Sequence, residues 1–388
     1  MSGARTAARG FVVMSVLAVL AYASFGAVFQ VFPPFFDDLE REFGIGRTLA
    51  SLCMTAFLVP LALFSPALGA AVDRHGPGRV GRLGFALLLA GGAGTAAAPS
   101  FGVLLATRAV AGLGGGMVLV GTLKLLAASI PAERLGAAFG LFVAGLPIGT
   151  GIAFDGLDHL ASWRWSAAAA TAVAAAGAVA FALLAPVEPA ARPARPLRAD
   201  LRAVLALPAL RQLAVLVVLG YAAIVAFTSW APSRLASYGG LATGTAALIA
   251  SVLLVIDIPF APLWGRASDR LGRRKPFVVA AFLVYAAGAF VVPSAATSTA
   301  LLLLVVATMG VGCAMFFPAT LAVPQSTVEA DLLGVTYGLF LTAQAFGMAL
   351  GPLALGIVFD HSSTPTGVFV IGGLAAAGLA ASVRLQAR

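Results

Sequence analysis

Three ionisable residues, Arg108, Lys124 and Asp257, stand inside long apolar stretches of this sequence. A charge in a hydrocarbon interior is costly, so residues of this kind commonly carry protons, bind cations or form salt bridges. Asp257 lies in Val-Ile-Asp-Ile-Pro, roughly 12 Å from one end of its stretch and about 20 Å from the other at a helical rise of about 1.5 Å. Two interpretations stay open for Asp257: a functional carboxylate, or a neutral acid that bonds carbonyl groups freed by Pro259.

The elements that hold these residues are long apolar helices. The chain of 388 residues is 61% hydrophobic and only 10% charged, and its mean hydropathy is +1.01. A soluble domain of this size needs a more polar surface. About 20 apolar residues span a membrane. Twelve such spans are predicted, near residues 11–36, 48–72, 83–98, 103–128, 137–159, 165–186, 212–233, 244–265, 277–296, 300–323, 336–359 and 366–384. The predicted fold class is an all-α membrane protein with twelve transmembrane helices.

The formal net charge of +9 is distributed unevenly along the chain. With the N-terminus placed in the cytoplasm, the inner segments carry eighteen Lys and Arg residues, and the outer loops carry four: Arg41, Arg47, Arg164 and Arg234. An excess of basic residues in cytoplasmic loops sets the orientation of membrane proteins. The charge therefore predicts a topology with both termini in the cytoplasm, and it argues against a nucleic-acid partner.

An internal repeat divides the chain into two halves. The stretch Gly69-Ala-Ala-Val-Asp-Arg-His-Gly returns 196 residues later as Gly265-Arg-Ala-Ser-Asp-Arg-Leu-Gly. Gly112-x-Gly-x-x-Met and Gly140-Leu-Phe each return 198 residues later. The spacing predicts two six-helix bundles, at residues 1–186 and 212–388. They are joined by a cytoplasmic linker, residues 187–211, with a short surface helix near 198–206.

The repeated loop motif resembles the signature of the major facilitator superfamily of secondary transporters. The resemblance implies two pseudo-symmetric bundles around a central substrate site, and a latch on the cytoplasmic side that holds the outward-facing state. In this latch Asp73 docks on the start of span 11, around Gly334–Gly338. A plain positive-inside turn would explain the arginines but not the repeated Gly and Asp spacing. The implied latch residues are Gly69, Asp73, Arg74, Gly76, Glu133, Arg134, Gly265, Asp269, Arg270, Gly272 and Arg274. The first copy departs from the pattern, because Pro77-Gly78 stands where a second basic residue is usual.

Span 4 begins with Arg108-x-x-x-Gly-x-Gly, which resembles the span-4 pattern that the superfamily links to proton coupling. Lys124 lies on a different face of a straight helix, about 160° from Arg108 at about 100° per residue. Snorkelling of Arg108 toward outer headgroups, and of Lys124 inward, are the alternatives. Asp257 corresponds to Leu61 in the first half, so the common scaffold does not require an acid there. The predicted substrate and coupling residues are Arg108, Lys124, Asp257, Gln30, Tyr22 and Gln344.

The sequence lacks His-Glu-x-x-His, Gly-x-Ser-x-Gly, Cys-x-x-Cys and the phosphate-binding Gly-x-x-x-x-Gly-Lys. An enzyme is therefore not expected, and no cofactor or metal is predicted. Without a nucleotide site, transport must draw on an ion or substrate gradient. The predicted function is secondary active transport of a small soluble molecule by alternating access.

Two cations against one acid within the spans favour an organic anion as substrate, with proton coupling through Asp257 as an option. One alternative is proton-driven efflux of drugs or metabolites, against which the lack of an acid in span 1 counts. Another is a transporter-like receptor or scaffold.

The Ala-, Gly-, Arg- and Pro-rich composition suggests a GC-rich bacterial genome and hence a bacterial inner membrane. The lipid bilayer is then the expected surroundings, and a monomer is the expected state.

Overall fold

The computed structural model describes residues 2–153, 160, 162–186, 196–296, 298–361 and 364–385, and all regular secondary structure in these ranges is helical. The helices are α1 Ser2–Gln30, α2 Phe36–Phe43, α3 Arg47–His75, α4 Pro77–Ala96, α5 Phe101–Ser129, α6 Ala132–Gly151, α7 Trp163–Leu184, α8 Leu197–Ala206, α9 Pro208–Gly239, α10 Thr243–Val255, α11 Asp257–Leu271, α12 Lys275–Ala295, α13 Thr299–Thr327, α14 Leu333–His361 and α15 Thr364–Val383. A 3₁₀ turn at Pro33–Phe35 precedes α2.

The chain forms two compact units. Unit 1 comprises Met1–Pro131, Leu141–Val204 and Val328–Thr342, and unit 2 comprises Ala132–Gly140, Leu205–Thr327 and Ala343–Arg388. Two helices therefore begin in one unit and continue in the other. The first turns of α6 belong to unit 2, and the first turns of α14 belong to unit 1, an exchange that the predicted halves did not include.

The predicted fold class is confirmed by the helices themselves. Within the described ranges, eleven helical segments are long and apolar enough to cross a membrane, with Leu248–Leu271, which includes parts of α10 and α11, counted as one. Helix α4, the predicted third span, is long enough at 20 residues but less apolar, because it carries two arginines and six glycines. The orientation of the termini stays a prediction.

Prolines explain where the helices depart from the predicted spans. The first span was predicted to run to residue 36, but α1 ends at Gln30 and α2 follows, because Pro33 and Pro34 cannot donate helical hydrogen bonds. The eighth span divides into α10 and α11 at Ile256, since Pro259 cannot donate to the carbonyl of Val255. The predicted surface helix is present as α8. The end of the predicted fifth span, residues 154–159, lies outside the described residues.

The glycine repeat positions α5 and α13 at matching places in the two units. In unit 1, a Cβ at Gly112 would overlap the carbonyl of Phe57, so α5 lies against α3. In unit 2, a Cβ at Gly310 would lie 2.9 Å from the carbonyl oxygen of Leu253, so α13 also packs on α10, less closely than α5 packs on α3. Helices approach this closely only where a side chain is missing. Helix α5, which carries Arg108 and Lys124, is thereby held against α3.

Candidate functional site

In unit 1, Asp73 binds the start of α14. Its Oδ1 accepts a hydrogen bond from the backbone N–H of Gly334 at 2.9 Å, and its Oδ2 accepts one from Val335 at 3.0 Å. These N–H groups belong to the first turn of α14, where they have no partner within the helix and where the helix dipole favours a negative charge. The resemblance implied a contact of Asp73 with this part of the chain, and the role of this contact as a latch stays a prediction.

Lys124 completes this group. Its Nζ donates to Asp73 Oδ1 in an ion pair, and both side chains are more than nine-tenths buried. The sequence placed Lys124 among the substrate and coupling residues, or alternatively snorkelling inward. The structure instead pairs its ammonium group with the aspartate of the loop motif. We call Asp73, Lys124, Gly334 and Val335 the Asp73 cluster.

Unit 2 contains the same arrangement around Asp269. Its Oδ1 accepts from the N–H of Gly136 and its Oδ2 from the N–H of Ala137, each at 2.9 Å, in the first turns of α6. The cation here is Arg274, whose Nη1 lies 2.6 Å from Asp269 Oδ1. We call Asp269, Arg274, Gly136 and Ala137 the Asp269 cluster.

Arg274 is held by two further hydrogen bonds in unit 2. Its Nη1 donates to Ser268 Oγ at 2.6 Å, and its Nη2 donates to the carbonyl of Ala132 at 3.2 Å. One guanidinium group therefore binds the loop motif and the start of α6 together.

Paired glycines allow the helices of each cluster to touch. A Cβ at Gly69 would overlap the carbonyl of Gly334, and a Cβ at Gly265 would overlap the carbonyl of Gly136. Each aspartate can reach two backbone N–H groups only because α3 meets α14, and α11 meets α6, at this separation.

Two glycines turn the chain after the aspartates. Gly76, between α3 and α4, has a φ of +85°, and Gly272, after α11, has a φ of +63°. A side chain at either position would be strained. Of the remaining residues implied for the latch, Arg74 is half-buried, whereas Arg270, Glu133 and Arg134 are exposed. Glu133 and Arg134 lie in the first turn of α6, beside the N–H groups that bind Asp269.

Arg108 is buried in unit 1, with 1% of its surface exposed. Its guanidinium group donates to the carbonyl oxygens of Val28 at 2.6 Å, Phe29 at 2.8 Å and Cys53 at 3.0 Å. Its Cζ lies 5.0 Å from the ring centroid of Phe32 and 4.6 Å from that of Phe57. Val28 and Phe29 are in the last turn of α1, whose carbonyl groups lack partners within the helix. Arg108 therefore caps α1 and joins it to α3, rather than snorkelling to a headgroup.

Asp257 is buried in unit 2 as the first residue of α11, at the break in the eighth span. It is 3% exposed, and its Oδ1 has no hydrogen-bond partner among the described residues. The same part of the chain offers it no salt bridge. Neither the predicted ion pair nor the predicted bond to freed carbonyl groups is seen at this oxygen.

The other predicted substrate residues are distributed between the units. In unit 1, the buried ring of Tyr22 stacks on Phe142 with centroids 4.4 Å apart. Gln30, half-buried, is the last residue of α1. In unit 2, the buried Gln344 donates from Nε2 to Met348 Sδ at 3.9 Å.

The sequence analysis did not identify a set of hydrogen-bonded side chains in unit 1 that joins α2 to α7. Glu42 accepts hydrogen bonds from Trp163 Nε1 at 2.7 Å and from Arg164 Nη2 at 2.5 Å, and Arg164 also donates to the carbonyl of Ala98 at 2.7 Å. Burial on its own raises the pKa of the Glu42 carboxyl, but the hydrogen bonds from Trp163 and Arg164 and the charge of Arg164 outweigh burial and lower that pKa. The paired Trp-Arg after a loop was the one available signal in the sequence.

Across the described ranges, no group of three or more His, Cys, Asp or Glu residues is placed to hold a metal ion. The two cysteines, Cys53 and Cys313, are buried free thiols in different units.

Long apolar helices, in two units that repeat the same glycine and aspartate contacts, define a multi-pass membrane protein with an internal repeat. The chain belongs to the Major Facilitator Superfamily, whose family model matches residues 17–256 and 235–387. It is therefore a multi-pass integral membrane protein of a transporter superfamily, whose members are not enzymes.

Among sequence relatives, the chain is 30% identical over 131 residues to multidrug resistance protein Stp of Mycobacterium tuberculosis, covering 33% of this chain and 24% of the relative. It is 33% identical over 130 residues to a chloramphenicol resistance protein of Streptomyces lividans, covering 32% of each. The matches thus span about a quarter to a third of these relatives.

Two solved structures share the fold over nearly the whole chain. The proton:xylose symporter XylE, bound to 6-bromo-6-deoxy-D-glucose, has a TM-score of 0.80 at 14% identity, with 98% of this chain and 97% of that chain covered. The human organic anion transporter MFSD10 has a TM-score of 0.79 at 17% identity, with 97% and 99% covered. At these identities the likeness concerns the fold alone.

Proposed function

We propose that this transporter is a proton-driven antiporter that exports small neutral or cationic organic molecules. The observation that carries the proposal is Asp257, a buried carboxylate at a helix break whose Oδ1 has no partner among the described residues. The resistance proteins among its relatives support export as the direction.

Asp257 has the chemistry of a proton carrier. A carboxylate in an apolar interior is stable when protonated, because the neutral acid avoids most of the cost of burial. Contact with water on one side of the membrane would let it ionise and release the proton. A partner cation would abolish this exchange by holding the group ionised, and none is paired with it in the described part of unit 2.

The two cations that favoured an organic anion are engaged elsewhere in unit 1. Arg108 donates to three carbonyl oxygens and is sealed between two rings, and Lys124 is paired with Asp73. Neither guanidinium nor ammonium group is left to bind an anionic substrate. A neutral or cationic substrate fits the buried carboxylate of Asp257, whose Oδ1 has no partner among the described residues, better than an anion does.

In this proposed mechanism, the Asp73 and Asp269 clusters control which side of the membrane the transporter opens to. In each cluster the aspartate binds the first turns of a helix through two backbone hydrogen bonds and is itself paired with one cation. We assign both clusters the role of latches that hold one of two alternating states.

Proton-driven export is tested by flux into proteoliposomes. With the interior acidic, we expect protons leaving through the antiporter to drive chloramphenicol or ethidium inward above equilibrium, and an ionophore that collapses the pH gradient to stop this uptake. Benzoate serves as the anionic comparison. Benzoate uptake under the opposite gradient, without uptake of the other two compounds, would establish anion symport instead.

The role of Asp257 is tested in the same vesicles. Asp257→Asn should reduce gradient-driven uptake to background yet preserve exchange of substrate at equal concentrations, because a permanently neutral side chain permits the conformational cycle but cannot release a proton. Leu61→Asn, at the buried counterpart position of unit 1, is the matched control and should keep gradient-driven uptake. Normal gradient-driven uptake by Asp257→Asn would remove Asp257 from coupling.

A further inference from the structure

We infer that Lys124 is a positioning residue of the Asp73 cluster, and that it replaces a loop arginine which the first copy of the motif lacks. The inference rests on membership of the transporter superfamily and on the latch role proposed above, but not on the substrate or the coupling ion.

The two clusters have the same geometry at the carboxylate. Each aspartate accepts one backbone N–H on each oxygen, at 2.9–3.0 Å, and one cation on Oδ1. Because the two carboxylates have the same hydrogen bonds and the same ion pair, we infer that a cation at Oδ1 is part of the arrangement that binds the helix start.

The source of the cation differs between the units. In the Asp269 cluster it is Arg274, five residues further along the same loop. The counterpart of Arg274 in the first copy of the motif, 196 residues earlier, is Gly78, which has no charge to offer. In the Asp73 cluster the cation is Lys124 of α5, and its counterpart 198 residues later is Ala322. Each cluster therefore has one paired cation, and neither of the two positions is basic in both units.

The length of the turn explains why the charge comes from another helix. Residues 272–274 separate α11 from α12, so Arg274 can fold back onto Asp269. Only Gly76 separates α3 from α4, and position 78 already lies inside α4. A helix that crosses α3 at the level of Asp73 is then the available source, and the Gly112 contact holds α5 against α3.

Because both side chains are buried, the charge of Asp73 depends on Lys124 for compensation. The Asp73 side chain is 8% exposed and the Lys124 side chain 9%, so water compensates little for a missing partner. Removing the ammonium group leaves a buried carboxylate without a counterion, which favours separation of the cluster and hydration of Asp73. Lys124 therefore sets how tightly the start of α14 is held.

Thiol modification of the purified full-length chain tests this inference without a transport assay. In a background with Cys53→Ala and Cys313→Ala, Thr336→Cys reports the Asp73 cluster and Ala138→Cys reports the Asp269 cluster. The two positions correspond in the repeat, each follows the N–H groups bound by its aspartate, and both are buried. N-ethylmaleimide modifies each thiol only when its helix start is released.

We expect Lys124→Gln to accelerate modification at Thr336→Cys roughly tenfold, the equivalent of one lost charge-assisted hydrogen bond, and to leave Ala138→Cys unchanged. Arg274→Gln should do the reverse. Lys124→Arg should stay near the parent rate, because it keeps the charge. In an Asp73→Asn background, Lys124→Gln should add nothing, since its target is gone.

Three results would overturn the inference. One is an equal acceleration at both reporters, which would mean general loosening of the fold. Another is the same acceleration with Asp73→Asn present, and the third is no acceleration at Thr336→Cys. If Lys124→Gln fails to fold because of the buried unpaired carboxylate, the Asp73→Asn, Lys124→Gln double variant removes that charge. If the double variant is modified at the same rate as Asp73→Asn alone, the inference is supported. If the double variant is modified faster, the inference is contradicted.

Discussion

At the scale of single residues, Arg108 shows how a charge can be buried at a membrane-embedded position without an acid to pair with. Three carbonyl oxygens and two aromatic faces surround its guanidinium group. Arginine suits this role because its donors point in several directions and its charge is weakly hydrated. The coupling role that the resemblance implied for Arg108 stays a prediction, since none of these contacts involves a carboxylate.

Arg108→Met is expected to lower the stability of unit 1 more than it alters substrate selectivity. Hydrogen bonds to a charged group are worth about 1.5–3 kcal/mol each, and three carbonyl oxygens would lose their donor. Thermal unfolding of purified Arg108→Met should show a midpoint clearly below that of the parent. The midpoint of Arg108→Lys should lie between the two, because an ammonium group cannot reach all three oxygens. The exposed Arg134→Ala is the control and should unfold like the parent. A parent-like midpoint for Arg108→Met would contradict the capping role.

At the scale of elements, the contacts between helices depend on missing side chains. The pairs Gly69 with Gly334 and Gly265 with Gly136 bring one backbone against another. A carboxylate in the last turn of one helix then reaches backbone N–H groups near the start of another. The close approach and the aspartate act together, because the carboxylate reaches only a few ångströms.

Gly265→Ala should weaken the Asp269 cluster. The added methyl group would overlap the Gly136 carbonyl, so α11 and α6 must separate, at a cost of about 1–3 kcal/mol for an overpacked site. Modification of Ala138→Cys should accelerate, and modification of Thr336→Cys should not. Gly373→Ala is the matched control in unit 2, because a Cβ there has open space. Equal effects of the two alanines would show that helix propensity, not the close approach, is responsible.

At the scale of the whole molecule, the distribution of charge predicts how the chain lies in the membrane. A reporter fused after Arg388 should be on the cytoplasmic side, because the basic residues are concentrated in the segments assigned there. A fluorescent protein fused at that point should fluoresce, and alkaline phosphatase should be inactive. The same reporters inserted after Ser162, in a segment assigned to the outside, provide the opposite control. Active phosphatase at Arg388 would reverse the predicted topology.

The sequence was sufficient to predict the helices and the repeat. Apolar runs of this length must be helical in lipid, because a helix satisfies its own backbone hydrogen bonds. The spacing of Gly69, Asp73 and Gly76, repeated from Gly265, predicted a turn after each aspartate. Pro259 indicated freed carbonyl groups near Asp257, since proline inside a helix removes a hydrogen bond, but the division of the eighth span was not predicted. These features depend on residues close together in the chain.

Only the tertiary structure decided which charges meet. Lys124 and Asp73 are 51 residues apart, and whether they touch depends on where α3 and α5 cross. Arg108 binds carbonyl oxygens rather than an acid or a headgroup, because the last turn of α1, which ends at Gln30, lies within hydrogen-bonding distance of its guanidinium group. Asp257 was left without a hydrogen-bond partner at Oδ1 among the described residues for the same kind of reason, since its neighbours in space are set by how the helices pack. The energy of a buried charge depends on its neighbours in space, and helix packing alone determines those neighbours.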